Sequence, residues 1–115
     1  MRSRLVRAGL LGLAAIAVAT PSAAQSAAMI ERGQKVYAAE KCVVCHSIAG
    51  AGNKRGDLDG VGSRLSEDEI RQWIIAAPEM TAKTKSTRKP LMKSYTHLPK
   101  EDVEALVAYM MSLKK

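Results

Sequence analysis

Cys42-Val43-Val44-Cys45-His46 decides the interpretation of this chain, because it combines two thiols and an imidazole at close, fixed spacing. Cys-x-x-Cys-His is the attachment pattern of a c-type haem. Each thiol can add across one vinyl group of the porphyrin to form a thioether, and the two residues between the thiols let one short turn reach both vinyl groups. The adjacent His can then bind the iron as the proximal ligand. The stretch therefore predicts a haem bound covalently by Cys42 and Cys45, with His46 as an iron ligand.

A Cys-x-x-Cys pair also occurs as a thioredoxin-like redox pair, as half of a zinc site, or as a small disulfide loop. A thioredoxin-like pair needs a βαβ context, and no strand pattern lies nearby. A four-ligand zinc site needs two further Cys or His residues, and the whole sequence offers His46 and His97. The disulfide loop is the main alternative to haem attachment.

Residues 1–24 predict a cleaved signal peptide. Arginines stand at positions 2, 4 and 7, an uncharged Ala/Leu-rich run of twelve residues follows, and small residues occupy positions 22 and 24. This is the order of a secretory signal, so we expect cleavage after Ala24, a mature domain over residues 25–115, and export to the bacterial periplasm. An uncleaved membrane anchor is the alternative, but the run is shorter than the ~20 residues that span a bilayer, so we expect no stable anchor.

The charge and composition of the chain indicate which kinds of partner it can bind and whether it can form a hydrophobic core of its own. The formal net charge of the chain is +7, and removal of the three arginines leaves fifteen basic and eleven acidic residues, or +4. Aromatic residues make up 3% of the chain, too few to stack nucleic-acid bases, so we predict no nucleic-acid binding. A mature chain of about 91 residues with no Phe and one Trp is marginal for a core of its own. A buried haem would supply the missing apolar surface, so we expect the apoprotein to be poorly folded.

The fold class predicted from periodicity is all-α, with three main helices and long loops around the haem. The first helix is predicted over residues 28–40, where Gly33 and Tyr37 share an apolar face. The last is predicted over residues 99–113, and we expect its apolar stripe to pack on that face. The stripe consists of Val103, Leu106, Val107, Met110 and Leu113.

The second helix is predicted to begin at a capping box formed by Ser66 and Glu69 and to end at Pro78. Residues 47–64 are rich in glycine, and residues 79–98 show no helical periodicity. Both stretches are predicted as loops, and loops of this length in a small domain usually serve function.

The order of these segments resembles the class I c-type cytochromes, the small soluble monohaem type, over the whole predicted mature domain. Gly33-x-x-x-Tyr37 ahead of the Cys-x-x-Cys-His stretch resembles the first helix of that family, and Leu106-Val107-Ala108-Tyr109 resembles its last. The resemblance implies a cytochrome c-like fold in which these helices cross closely at the glycine. It also implies one haem c per chain.

The resemblance extends to two loops. Gly60-Val61-Gly62-Ser63-Arg64 resembles the loop whose Arg contacts a haem propionate, which implies that role for Arg64. Pro90-Leu91-Met92-Lys93-Ser94-Tyr95 resembles the loop that carries the second axial ligand, which implies that role for Met92. Arg55-Gly56 departs from the family, which commonly has Gly-Pro there, with the Pro carbonyl accepting a hydrogen bond from the proximal His.

Other residues could in principle supply the sixth ligand of the iron. Met80 follows Pro78 closely and is therefore poorly placed to cross the haem, whereas His97 would give a bis-His site. Three further methionines are better explained by core packing or by an exposed position near a helix end. These are Met29, Met110 and Met111.

A closed His/Met site predicts an electron carrier and not an enzyme. We expect a monomer that meets redox proteins through an exposed haem edge, and the basic run flanking Met92 would favour an acidic docking surface on the partner. A gas-binding, sensing or peroxidase-like protein with an open sixth site is one alternative, and a dedicated haem subunit of a larger oxidoreductase is another. The basic run consists of Lys83, Lys85, Arg88, Lys89 and Lys93.

Overall fold

The computed structural model describes residues 8–16 and 23–115 and is predominantly helical, in agreement with the predicted class. Of the predicted signal peptide, residues 8–16 are exposed and carry no regular secondary structure, and residues 1–7 and 17–22 lie outside the described part of the chain. The first helix, α1, spans Ala23–Ala39 and so begins five residues before the predicted start. The predicted cleavage point after Ala24 falls in its first turn.

The predicted crossing between the first and last helices is confirmed. The last helix, which is α5 in chain order, spans Lys100–Ser112 and packs along α1. At the crossing, a Cβ added to Gly33 would overlap the carbonyl group of Ala105 and lie 2.7 Å from Cβ of Tyr109. One turn further along α1, the rings of Tyr37 and Tyr109 meet edge to face, with centroids 5.8 Å apart. The absence of a side chain at Gly33 thus sets the distance between the two helices.

The glycine-rich stretch is more structured than predicted. It contains a two-residue hairpin, β1 (Ser47–Ile48) and β2 (Ala51–Gly52), and a 3₁₀ turn at Lys54–Gly56. A short helix, α2, then spans Val61–Arg64. These elements are too short for periodicity to reveal them, so the sequence indicated only a loop.

The second predicted helix is α3, Glu67–Ile75, and its capping box is present. The side-chain oxygen of Ser66 accepts from the Glu69 backbone N–H at 3.1 Å, and the Glu69 carboxylate accepts from the Ser66 backbone N–H at 3.1 Å. The reciprocal pair satisfies two backbone donors that the start of a helix leaves free.

The prediction of a loop after Pro78 is wrong, because a further helix, α4, spans Ala77–Thr84. The chain leaves helical geometry at Ala76, with φ −139° and ψ 45°, and Pro78 then stands in the first turn of α4. Proline is well tolerated there because the first backbone N–H groups of a helix have no partner within it. Pro78 therefore marks the start of one helix and not simply the end of another. With α2 and α4, the described chain has five helices where three main helices were predicted.

In the ranges that the structure describes, no helix is both long enough and apolar enough to cross a bilayer.

The core lies between α5 and the helices that face it. Four of the five residues predicted for the stripe of α5 are buried, and Leu113 is partly buried. The buried aliphatic cluster comprises Val36, Val61, Ile70, Ile74, Val103, Leu106, Val107 and Met110.

Candidate functional site

The Cys-x-x-Cys-His stretch forms one tight turn immediately after α1. Cys42–Val44 is a 3₁₀ turn, in which the Cys42 carbonyl accepts from the backbone N–H groups of Cys45 at 3.1 Å and of His46 at 2.9 Å. The two cysteines are half-buried, free, and not joined in a disulfide. Both line the same cavity, so one turn presents both thiols to one space.

Asn53 holds this turn from outside. Its backbone N–H lies 3.2 Å from the Val43 carbonyl and 3.0 Å from the His46 carbonyl, and its side-chain Nδ2 donates to the Val44 carbonyl at 3.2 Å. Its Oδ1 also accepts from the Arg55 backbone N–H at 3.1 Å, which begins the 3₁₀ turn at Lys54–Gly56. Asn53 was not predicted as a site residue, although an Asn that opens a turn is a recognisable sequence signal.

The imidazole of His46 is fixed in one tautomer by the Gly56 carbonyl. His46 Nδ1 lies 2.9 Å from that oxygen, and a carbonyl can only accept, so Nδ1 carries the proton. Burial lowers the pKa of His46; the nearby Arg88 lowers it further, while the bond to Gly56 acts in the opposite direction. A neutral ring protonated at Nδ1 leaves the lone pair of Nε2 free for a metal. Gly56 thus offers the acceptor that the resemblance assigns to a proline carbonyl.

The turn opens into a cavity of about 630 Å³ that lies between α3, α5 and the segment after α4. Its wall is mostly apolar, with a few polar groups among aliphatic and aromatic side chains. Its size falls in the range of about 300–1,000 Å³ that is typical of ligand and cofactor sites. The apolar wall includes Leu58, Val61, Leu65, Ile70, Trp73, Ile74, Leu91, Leu106 and Met110.

The cavity brings together the five site residues taken from the sequence. Cys42, Cys45, His46, Arg64 and Met92 all line it. Arg64 stands at the exposed margin, where its Nη1 donates to the Asp59 carbonyl at 2.6 Å.

Of the other candidates for a sixth ligand, Met80 and His97 do not line the cavity. Met80 lies on α4 and is 7% exposed, and its side chain is not part of the cavity lining. His97 is an exposed residue whose Nε2 lies 3.2 Å from Oε2 of Glu40. Among the methionines in the described part of the chain, Met92 and Met110 line the cavity, and Met110 also belongs to the core cluster.

Arg88 is a second residue of the site that was not predicted from the sequence. It was grouped with the basic run that flanks Met92, but it is half-buried and lines the cavity. Its Nη2 donates to the Cys45 carbonyl. The segment after α4 is thereby tied to the Cys-x-x-Cys-His turn.

Burial also raises the pKa of two further groups that line the cavity. Burial, assisted by the nearby Glu40, raises the pKa of the Cys42 thiol to about 11, so the group is a thiol at neutral pH and not the reactive thiolate of a redox pair. The hydroxyl of Tyr37 is buried and has no hydrogen-bond partner among the residues that the structure describes, and burial raises its pKa to about 12. An unpartnered hydroxyl on the wall fits a site whose occupant supplies part of the surroundings.

These features fit a covalently attached haem. Two thiols on one turn, an imidazole with a free Nε2 and a largely apolar cavity are the donor set and the surroundings that a haem c requires. By contrast, the described residues contain no group of three or more His, Cys, Asp or Glu side chains arranged to hold a metal ion.

Comparison with known proteins gives the same result. The family model described as Cytochrome c matches residues 30–114. Over 104 residues the chain is 34% identical to a subunit of the nicotinate dehydrogenase of Pseudomonas putida, covering 76% of this chain and 9% of that subunit. It is 26% identical over 95 residues to cytochrome c oxidase subunit 2 of Alkalihalophilus pseudofirmus, covering 75% of this chain and 26% of that subunit. The chain therefore spans a small part of either relative, and no solved structure matches it.

The match covers α5 and nearly all of the chain from the middle of α1 onward, including the attachment turn and the cavity. The chain belongs to the cytochrome c family: it carries one covalently bound haem c, and its role is haem-based electron transfer.

Proposed function

We propose that this protein is a periplasmic one-electron carrier whose haem iron is bound by His46 and Met92. The observation that carries the proposal is the position of the two side chains on the wall of one cavity, in segments separated by α3 and α4. When bound, the haem supplies an iron that alternates between Fe(II) and Fe(III).

Each residue has a distinct part in this proposal. Cys42 and Cys45 hold the haem through thioethers, and His46 offers Nε2 because the Gly56 carbonyl retains the proton on Nδ1. Met92 offers its thioether sulfur from the segment that follows α4, and Arg64 pairs with a propionate at the cavity margin. If His46 and Met92 both bound the iron, no coordination position would remain for a substrate, so the site would favour electron transfer over catalysis. His/Met ligation and an apolar cavity both raise the reduction potential.

The sixth ligand can be tested with matched methionine variants. Met92→Leu removes the sulfur while retaining an apolar side chain of similar size. We expect it to abolish the weak long-wavelength absorption band that marks methionine bound to ferric haem, and to let the ferrous protein bind carbon monoxide. Met80→Leu makes the same change at a buried residue outside the cavity and is expected to keep the band. Retention of the band in Met92→Leu, or its loss in Met80→Leu, would reject Met92 as the ligand.

The surface beside the site supports transient docking of another redox protein. Val44, between the two cysteines, is 65% exposed, and Leu91, next to Met92, is 50% exposed. Lysines on the segment around Met92 are exposed, and Lys93 also lines the cavity. An apolar contact surrounded by positive charge suits a small, short-lived interface with an acidic partner. The exposed lysines are Lys83, Lys85, Lys89 and Lys93.

A dedicated haem subunit of a larger oxidoreductase is the second candidate. It is favoured by the finding that both relatives carry the similar stretch as a minor part of a much longer redox subunit. Size-exclusion chromatography of the native protein from its source distinguishes the two. A monomeric haem protein supports the free carrier, and co-elution with a dehydrogenase or oxidase supports the subunit.

The periplasmic location rests on the predicted signal peptide. Intact-mass analysis of the mature holoprotein is expected to show residues 25–115 plus one haem. A mature protein that still carries residues 1–24 would reject cleavage and favour a membrane-anchored form.

A further inference from the structure

Arg88 bridges two segments that meet at the cavity. It lies on the segment between α4 and Met92, four residues before Met92. Its guanidinium group reaches the attachment turn, where Nη2 donates to the Cys45 carbonyl. The side chain is half-buried and forms part of the cavity wall.

The guanidinium also lies against Gly56. A Cβ added to Gly56 would overlap Nη1 of Arg88 and the Cys45 carbonyl, and would lie 2.8 Å from Cζ of Arg88. Gly56 is the residue whose carbonyl accepts from His46 Nδ1 at 2.9 Å. Arg88 therefore contacts both the residue before His46 and the residue that orients the His46 ring.

We propose that Arg88 is a positioning residue that latches the Met92 segment to the haem-attachment turn. This inference rests on the proposed ligation by Met92. The latch keeps the methionine segment closed over the site, so that an external ligand can reach the iron only after the Arg88 contact has been broken.

Opening of the Met92 segment is unfavourable because it breaks a partly buried, charge-assisted hydrogen bond. A bond from a guanidinium group is stronger than one between neutral groups, and its loss leaves the Cys45 carbonyl without this donor. Arg88 is the member of the basic run that points inward, whereas its four lysine neighbours are exposed.

Binding of cyanide to the oxidised holoprotein measures how readily the segment opens. Arg88→Met retains the stem and removes the donors and the charge, and we expect it to bind cyanide roughly tenfold or more tightly than the wild type. Arg88→Lys retains a charge and a donor but lacks the planar fork, so an intermediate affinity is expected. Arg55→Met is the matched control, because Arg55 is an exposed arginine beside Gly56, and its affinity should equal that of the wild type.

A merely structural role for Arg88 would give a different pattern. Glu104→Gln, which weakens an ion pair between α3 and α5, lowers global stability without touching the latch, and it should leave cyanide affinity unchanged. If Arg88→Met binds cyanide no more tightly than the wild type, or if Arg55→Met or Glu104→Gln shows the same gain, the latch is rejected. If Arg88→Met does not incorporate haem, Arg88→Lys decides in the same assay, since wild-type affinity in that variant also rejects the latch.

Failure of the latch and failure of the ligation are distinguishable. Unchanged cyanide affinity in the Arg88 variants, with a methionine band that depends on Met92, rejects only the latch. A methionine band that survives Met92→Leu rejects the proposed ligation itself.

Discussion

At the scale of single residues, the attachment turn depends on groups outside the Cys-x-x-Cys-His stretch. The stretch supplies thiols and an imidazole, but the Gly56 carbonyl selects the tautomer of His46, and Asn53 supports the carbonyls of the turn. Such supporting groups determine how firmly a ligand is oriented and how basic it is. The ligand types were therefore readable from the sequence, whereas their orientation required the fold.

Asn53 allows a test of this support. Asn53→Asp keeps the oxygen that accepts from the Arg55 N–H but loses the Nδ2 donor that faces the Val44 carbonyl. We expect the free energy of unfolding of the holoprotein to fall by about 1 kcal/mol. Asn53→Ala, which loses both side-chain hydrogen bonds, should lower the free energy of unfolding further. Chemical denaturation measures both, and an Asp variant as stable as the wild type would show that the Nδ2 bond contributes nothing.

At the scale of elements, the crossing of α1 and α5 depends on Gly33. Gly33→Ala is expected to lower the free energy of unfolding by about 1–3 kcal/mol, because the new methyl group would overlap the Ala105 carbonyl and force the helices apart. Gln34→Ala, at an exposed position of the same helix, is the control and should be neutral or slightly stabilising. Thermal unfolding compares the two. A Gly33→Ala protein as stable as the wild type would mean that α1 and α5 can move apart without loss of stability.

The pairing of α3 with α5 should depend on pH. The Arg71 guanidinium binds the Glu104 carboxylate through two bonds, Nε to Oε1 at 2.8 Å and Nη2 to Oε2 at 2.9 Å, and these lower the pKa of Glu104. A lowered carboxylate pKa stabilises the fold above the ordinary value of 4.5, and this contribution disappears as the pH falls through the folded value. Glu104→Gln should therefore lower the free energy of unfolding by up to about 1 kcal/mol at pH 7 and leave it unchanged in strong acid. A cost that is independent of pH would contradict this account.

The elements also show what periodicity can and cannot reveal. Helices α1, α3 and α5 were predicted because each carries a repeated apolar stripe or a capping box. Helix α4 was missed because it buries only Ala77 and Met80, with Pro78 between them, which resembled a helix end. The hairpin and α2 were missed because strands of two residues and a helix of four have no period.

At the scale of the whole molecule, the cavity occupies the place where a larger protein would have core side chains. The aliphatic cluster faces the cavity through Val61, Ile70, Ile74 and Leu106, so the haem completes the core. This agrees with the scarcity of aromatic residues in the sequence, although the composition alone could not locate the gap.

The apoprotein should therefore lack a stable fold. A protein produced without haem attachment, for example with both cysteines replaced by Ser, is expected to give a broad, non-cooperative thermal transition in circular dichroism. The holoprotein should unfold cooperatively, because the covalently held haem makes its buried apolar contacts only when the chain is folded. A sharp native-like transition in the apoprotein would contradict the account.

Electrostatic steering is a further property of the whole surface. If the exposed lysines around Met92 guide an acidic redox partner, the bimolecular electron-transfer rate should fall steeply as ionic strength increases. Replacement of Lys85 and Lys89 by Gln should reduce both the rate at low salt and its salt dependence. A rate that is constant across the salt range would exclude steering by this surface.

The most direct test of the central claim is a redox titration of the purified holoprotein followed by its absorption spectrum. We predict one reversible one-electron transition of a haem c, with the methionine band present in the oxidised form and a potential in the high range that His/Met ligation gives. An oxidised form without that band, or more than one haem transition per chain, would contradict the proposal of a closed His46/Met92 electron carrier.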